Sequence, residues 1–120
     1  MVAWQDELKQ KYPLTLSHLD YFECDQGWSN LLDALCSVIE KRLKHQKIKE
    51  TYAIQIKEKF GGLRFYMSSL DEFIDGAIAL AEKQSVHTCE ICGNPGKTEI
   101  TKGWYKTLCI EHLNQLKKDD

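Results

Sequence analysis

Four residues in the last third of the chain have the types and the spacing of a metal-ligand set. Cys89 and Cys92 form a C-x2-C pair, sixteen residues intervene, and Cys109 and His112 form a C-x2-H pair. Two tight pairs of thiolate and imidazole ligands are what tetrahedral Zn²⁺ requires, and the spacing favours one zinc ion over an iron–sulfur site or a chance cluster. Four protein ligands close the coordination shell and leave no position for a water nucleophile, so the ion is expected to be structural. Gly93 follows the first pair and permits the turn that aims backbone N–H groups at thiolates. Pro95-Gly96 then closes that turn.

The elements that must position these ligands can be read around them. Two β-prone runs, Lys97–Thr101 and Trp104–Leu108, flank Lys102-Gly103 and predict a short hairpin. Cys109 and His112 fall one turn apart at the start of a helix running to about Lys118, which puts both on one helical face. Knuckle, hairpin and helix in this order are the treble-clef arrangement. Nucleases of the HNH type share that frame but need a general-base His on the hairpin, and residues 97–108 contain neither His nor Asp. His87 is the nearby spare imidazole, read as a surface residue or a hydrogen-bond partner of the module.

Residues 1–86 are expected to form an α/β (α+β) body and residues 87–120 the metal module. Residues 2–11 read as a short amphipathic helix stopped before Pro13. Residues 12–27 hold no period and read as irregular, with Asp25 as N-cap of the next helix. From Trp28 to Lys44, Trp28, Leu31, Leu32, Leu35, Val38, Ile39 and Leu43 recur at helical spacing, with Asp33, Ser37, Glu40, Lys41 and Lys44 on the other face. Cys36 reads as a small buried hydrophobe. Lys41, Arg42, Lys44, His45, Lys47 and Lys49 make the helix end basic, which complements its dipole or forms an anion-binding surface.

A hairpin comes next, with Gly61-Gly62 as its two-residue turn and Phe60 opposite Leu63. That register gives a core face of Ile54, Ile56, Phe60, Leu63, Phe65 and Met67, with Glu58 as an exception near the tip. The outer face holds Gln55, Lys57, Lys59, Arg64 and Tyr66. Residues 70–84 read as a second long helix with Leu70, Phe73, Ile74, Ala77, Ile78 and Ala81 as its stripe. The fold class is therefore a helix–β-hairpin–helix body carrying a C-terminal treble-clef zinc finger.

Composition bounds the function. At 120 residues, 42% hydrophobic and 28% charged, the chain has material for one modest core, the kind that gains most from a metal staple. A net charge of −2 argues against a surface built as a whole to trap polyanions. No apolar run reaches the ~20 residues of a membrane span, and the start of the chain lacks the charged and apolar regions of a secretory signal. Five cysteines, three of them in the metal pattern and Cys24 and Cys36 left over, fit a disulfide framework poorly and point to a reducing cytoplasm.

Two further surfaces can bind. Lys57, Lys59, Arg64 and Tyr66 can meet an acidic protein patch, phosphates or single-stranded nucleic acid, or stay solvated. Asp20, Glu23 and Asp25, among Tyr21, Phe22 and Trp28, can gather a cation, act as general acid and base, or form a protein contact. Cys24 as a nucleophile would need a base, and His18 six residues upstream is the nearest imidazole in sequence.

Glu23-Cys24-x-x-Gly27-Trp28, the run Ile56-Lys57-Glu58-Lys59-Phe60-Gly61-Gly62-Leu63-Arg64-Phe65-Tyr66, then Cys89-x-x-Cys92-Gly93-x-Pro95-Gly96 and Gly103-Trp104-x-x-Thr107-Leu108-Cys109-x-x-His112, resemble a group of small bacterial and prophage-encoded proteins. The resemblance covers roughly residues 23–112. It implies a bacterial or phage context, a C-terminal zinc module, and attention to the outer hairpin face. Together these features read as a non-enzymatic, zinc-stabilised protein-binding module in the cytoplasm of a bacterial host, with no membrane partner. In a phage setting it would modulate or inhibit a host defence system, and Trp104 and Tyr105 would join the partner-binding surface. The alternatives are a nucleic-acid-binding zinc finger and a small nuclease or hydrolase using the loop carboxylates.

Overall fold

A 17-residue helix, α3 (Ser29–His45), is the element on which the N-terminal part packs, and a computed structural model describes its surroundings over residues 3–48 and 50–118. Met1 and Val2 of the N-terminal readings and Lys49 of the basic run lie outside the described residues. The remaining elements are α1 (Trp4–Lys11), α2 (Pro13–Leu16), β1 (Phe22–Glu23), β2 (Ala53–Lys59), β3 (Gly62–Met67), α4 (Glu72–Ser85), β4 (Lys97–Thr101), β5 (Trp104–Leu108) and α5 (Ile110–Lys118), with a 3₁₀ turn at Gln26–Trp28. Leu32, Leu35, Cys36 and Ile39 of α3 are buried against Leu8, Leu16, Trp28, Ile56, Leu63, Phe65, Ile74 and Ile78 in one apolar cluster. Arg42 at the end of α3 bonds Asp71 at the start of α4, so the two helices run antiparallel.

The stretch 12–27, expected to be irregular, holds two elements that sequence period cannot reveal. Pro13 occupies the first position of α2, where its missing N–H costs nothing. The next amides are satisfied from a distance: Leu14 N and Thr15 N donate to the two carboxylate oxygens of Glu40, at 3.1 and 2.9 Å, and Thr15 Oγ1 adds a third bond at 2.8 Å. Glu40 is thus only 3% exposed, not on the solvent face of its helix as its charge suggested. Asp25 precedes the 3₁₀ turn but makes no side-chain cap, and Trp28 stands at the N-cap of α3. Asp33 is likewise engaged, accepting from Lys11 Nζ and Tyr12 Oη.

The three-stranded sheet has order β1-β2-β3, with β1 parallel and β3 antiparallel to β2. The hairpin turn is Phe60-Gly61, both with positive φ (54° and 84°), not Gly61-Gly62. Lys59 therefore pairs with Gly62, Glu58 with Leu63 and Ile56 with Phe65. The pairing moves by two residues in total, so each strand keeps its inner and outer faces. Glu58 stabilises this turn by accepting from Gly61 N at 2.7 Å, which explains a carboxylate at the end of an apolar face. Phe60 leaves the core and is exposed. An irregularity in register between Ala53 and Gln55 turns Ile54 outward as well and buries Ala53.

The β3 edge is covered by α4: Leu63 N donates to Ser85 Oγ and Phe65 N to Glu82 Oε2. Asp71 caps α4 by accepting from Ile74 N. Ile74, Ile78 and Ala81 are buried as the period predicts; Leu70 is exposed because the helix starts only at Glu72, and Phe73, in its first turn, is exposed with the Arg42 guanidinium over its ring. No described helix is long and apolar enough to cross a membrane.

Candidate metal centre

The C-terminal third folds as a knuckle, a hairpin and a helix. Thr88 bridges Pro95, Cys89 N donates to Asn94 O, and Gly93 N donates to Cys89 O, with φ +83° at Gly93. β4 and β5 pair from Lys97↔Leu108 to Thr101↔Trp104, so the turn is Lys102-Gly103 as expected. Cys109 directly precedes α5, and His112 lies in its first turn.

These elements bring the ligand atoms of Cys89, Cys92, Cys109 and His112 within 4.8 Å of one another. An ion held by thiolates at about 2.3 Å and imidazole at about 2.0 Å in a tetrahedron needs S···S edges of about 3.8 Å and S···N edges of about 3.5 Å. Cys92 Sγ and Cys109 Sγ are 3.8 Å apart, and His112 Nδ1 lies 3.6 Å from Cys89 Sγ and 3.2 Å from Cys109 Sγ. The donor set fits one four-coordinate ion. Burial pushes the Cys89 thiol up, but amide groups of Cys109, Cys92 and Ile91 and the Cys92 thiol outweigh it and bring it down to about 6. The knuckle thus stabilises the thiolate a metal needs. Cys92 moves the other way: the Asn94 amide lowers it, but burial and then the thiols of Cys89 and Cys109 together outweigh that and raise it.

The module is seated on the body through backbone contacts that the spacing of residue types did not announce. Gly27 N donates to Glu90 O at 2.7 Å, and a Cβ on Gly27 would stand 2.2–2.3 Å from Cys89 O and the Glu90 carbonyl. Trp28, fully buried, donates its indole N–H to Thr88 O at 3.0 Å. Asp25 N donates to Glu90 Oε2, and burial holds the Glu90 carboxyl above the usual range. At the other end, Thr107 Oγ1 donates to Gly61 O and exchanges a bond with Thr98 Oγ1. The motif residues Gly27, Trp28, Gly61 and Thr107 therefore share one task, joining the metal module to the hairpin tip and the turn before α3, while Glu58 fixes the Gly61 turn that Thr107 meets.

The other sequence candidates separate. Glu23 enters β1 beside Lys57, and its carboxylate accepts from Gln55 Nε2. It thereby joins Lys57, Arg64 and Tyr66, placing a carboxylate within the cationic outer face. Arg64 donates to Leu63 O, and Lys59 lies over the Phe60 ring. Asp20 is exposed, its carbonyl near Lys9, while Asp25 lines a groove of about 270 Å³ with Glu90, Lys106 and His112. Asp20, Glu23 and Asp25 do not gather: among the described residues only the Cys89–Cys92–Cys109–His112 group has metal-ligand proximity. His18 stacks on Tyr52 at 3.7 Å, and Cys24 is pushed up to about 12 by burial and by the charges of Glu90 and Asp25, which leaves it a poor nucleophile. Cys36 is buried and its thiol also raised, chiefly by burial. The His87 side chain is exposed, and its carbonyl accepts from Gly96 N. Trp104 is 71% exposed, and Tyr105 meets Phe60 edge to face at 5.8 Å. No family model, no curated protein and no solved structure matches the chain.

Proposed function

We propose that the chain is a non-enzymatic protein-binding module whose C-terminal third is a treble-clef finger stabilised by one structural zinc ion. Three thiolates and one imidazole are the donors Zn²⁺ favours, and four of them complete its shell. The observation that carries the binding role is the apolar edge at the joint between the two hairpins. Phe60 comes from the body and is 64% exposed; Ile100 and its cross-strand partner Tyr105 come from the module, with Ile100 64% exposed. Three large apolar side chains projecting from two anchored hairpins supply the buried centre that a protein interface needs, and Lys59 supplies a polar rim. The ion's task is then to hold β4 and β5 against the body so that this edge persists. The resemblance to prophage-encoded proteins supplies the context, a host-cell protein such as a component of a defence system.

The test is capture from a bacterial lysate by the tagged chain and by a Phe60→Ser, Tyr105→Ser variant that keeps its metal. A protein retained at near-equal stoichiometry by the parent and lost by the variant is expected. Capture that ignores both substitutions overturns the assignment of the surface. Retention of only DNA or RNA, weakening steeply with salt, overturns the protein-binding role.

A further inference from the structure

A second surface lies on the far side of the body, where α3 and α4 pack without a covering layer. Leu31, Ala34 and Val38 of α3 and Ala77 and Leu80 of α4 line an open groove of about 320 Å³ whose walls are almost wholly apolar. Leu80 is 72% exposed, although Ile78 and Ala81 of the same helix are buried. The alanines keep the floor low, and low floors let another helix approach closely. From Leu31 through Val38 to His45, the groove and the basin that continues it together span about 20 Å at the helical rise, the length of roughly four turns.

At Val38 the groove opens into a basin of about 420 Å³ lined by Lys41, Arg42, His45, Gln46 and Phe73. Arg42 is held in place: its Nε and Nη2 donate to Asp71 at 3.1 and 2.9 Å, and its guanidinium lies 5.1 Å from the centre of the Phe73 ring. Two of its five N–H donors are used by these bonds. Lys41 and His45 form no ion pair with any described carboxylate. Neither groove nor basin is lined by an Asp or Glu. A second copy of the chain would present the same apolar and basic lining, so its matching face offers no opposite charge.

We propose that the α3–α4 groove docks an amphipathic helix of a partner protein, apolar at i, i+4, i+7 and i+11, with carboxylates in its last turn over Lys41, Arg42 and His45. The apolar face fills the groove, and the helix's C-terminal carbonyls and acidic side chains meet the cations. This surface is separate from the Phe60–Tyr105 edge and stands without it.

The probe is a display library of 16-residue peptides with leucines fixed at those four positions and Ala, Glu, Lys or Gln elsewhere. Selection on the full chain should enrich Glu in the last turn and yield micromolar binders. Leu80→Asp should weaken them at least about tenfold, and Lys41→Glu with His45→Glu should reverse the preference toward Lys. These three side chains are exposed, and unchanged circular dichroism of the variants checks the fold. The Phe60→Ser, Tyr105→Ser variant should bind the peptides undiminished, which separates this site from the other. Binders without Glu enrichment, or indifferent to Leu80→Asp, overturn the proposal. A dimer in sedimentation that Leu80→Asp dissociates overturns it too, by making the occupant a second copy.

Discussion

The body and the metal module solve the same problem with different means. Among the described residues the body buries sixteen apolar side chains in one cluster, drawn from α1, α2, α3, β2, β3, α4 and the turns between them. The module buries Cys89, Leu108, Cys109 and Leu113, and two of these four belong to the proposed metal-ligand set. Two leucines contribute about 2–3 kcal/mol each and cannot offset the entropy of ordering two strands, a knuckle and a helix. The body is therefore specified by what it excludes from water, and the module by its four ligands and by the surface it is seated on. The difference teaches that a module with so small a core needs its order from elsewhere: from the proposed ion, from short β pairing, and from the body it is seated on.

The largest test removes the ion. Cys109→Ser, or a strong chelator, should abolish amide protection over residues 88–113, an effect on the order of 10 kcal/mol for that region. Protection in α3 and α4 should survive; simultaneous loss in both regions would make the molecule one cooperative unit and break the comparison. Trp28 sits in the body core yet bonds the module, so Trp28→Ala should cost about 4 kcal/mol in denaturant unfolding. Trp28→Phe should cost about 1–2 kcal/mol, since it chiefly strands the Thr88 carbonyl.

Gly27→Ala sharpens the boundary between the two. The methyl group would enter the carbonyls of Cys89 and Glu90, so a loss of about 3 kcal/mol is expected. Competition with a chromophoric chelator should also show weaker metal binding, although no ligand has changed. Glu40→Gln should cost about 2 kcal/mol, because one accepting carboxylate oxygen is replaced by an NH2 donor facing the donors of Leu14 and Thr15. Its effect belongs to the body alone, so metal affinity should stay constant. The smallest effect is a pH dependence. The Arg42 guanidinium, then the Ile74 amide, hold Asp71 below its usual 3.8. Its stabilisation is present above that value and is lost as pH falls through the folded value; Asp71→Asn should flatten the acid-unfolding profile between those two points, and an unchanged profile would remove Asp71 from the acid response.

Much of the architecture was legible because its causes are local. The periods of α3 and α4 carry their own burial pattern, Lys102-Gly103 supplies its own turn, and the two ligand pairs need only short loops. What stayed hidden has causes far away in sequence. Two-residue β1 exists because β2 accepts it. α2 exists because a carboxylate from the middle of α3 caps it, and that same bond buries a glutamate that its charge places outside. The hairpin turn falls at Phe60-Gly61 because Glu58 and Thr107 hold Gly61 from two sides and Tyr105 receives the Phe60 ring. Gly27 looked like part of an ordinary loop, since nothing in its neighbourhood announces a backbone arriving from residue 90.

Residue type and spacing alone determined that Cys89, Cys92, Cys109 and His112 would meet, because each pair, at i and i+3 on a knuckle or at a helix start, converges by local geometry and the hairpin turn at Lys102-Gly103 brings the two pairs together. Tertiary structure decided the rest of the functional surface. It placed Glu23 among the hairpin cations, scattered Asp20, Glu23 and Asp25, and brought Phe60 to Tyr105. It also left the α3–α4 groove uncovered. Those outcomes depend on which backbones touch, and packing between distant segments is a property of the whole chain that no window of neighbouring residues contains.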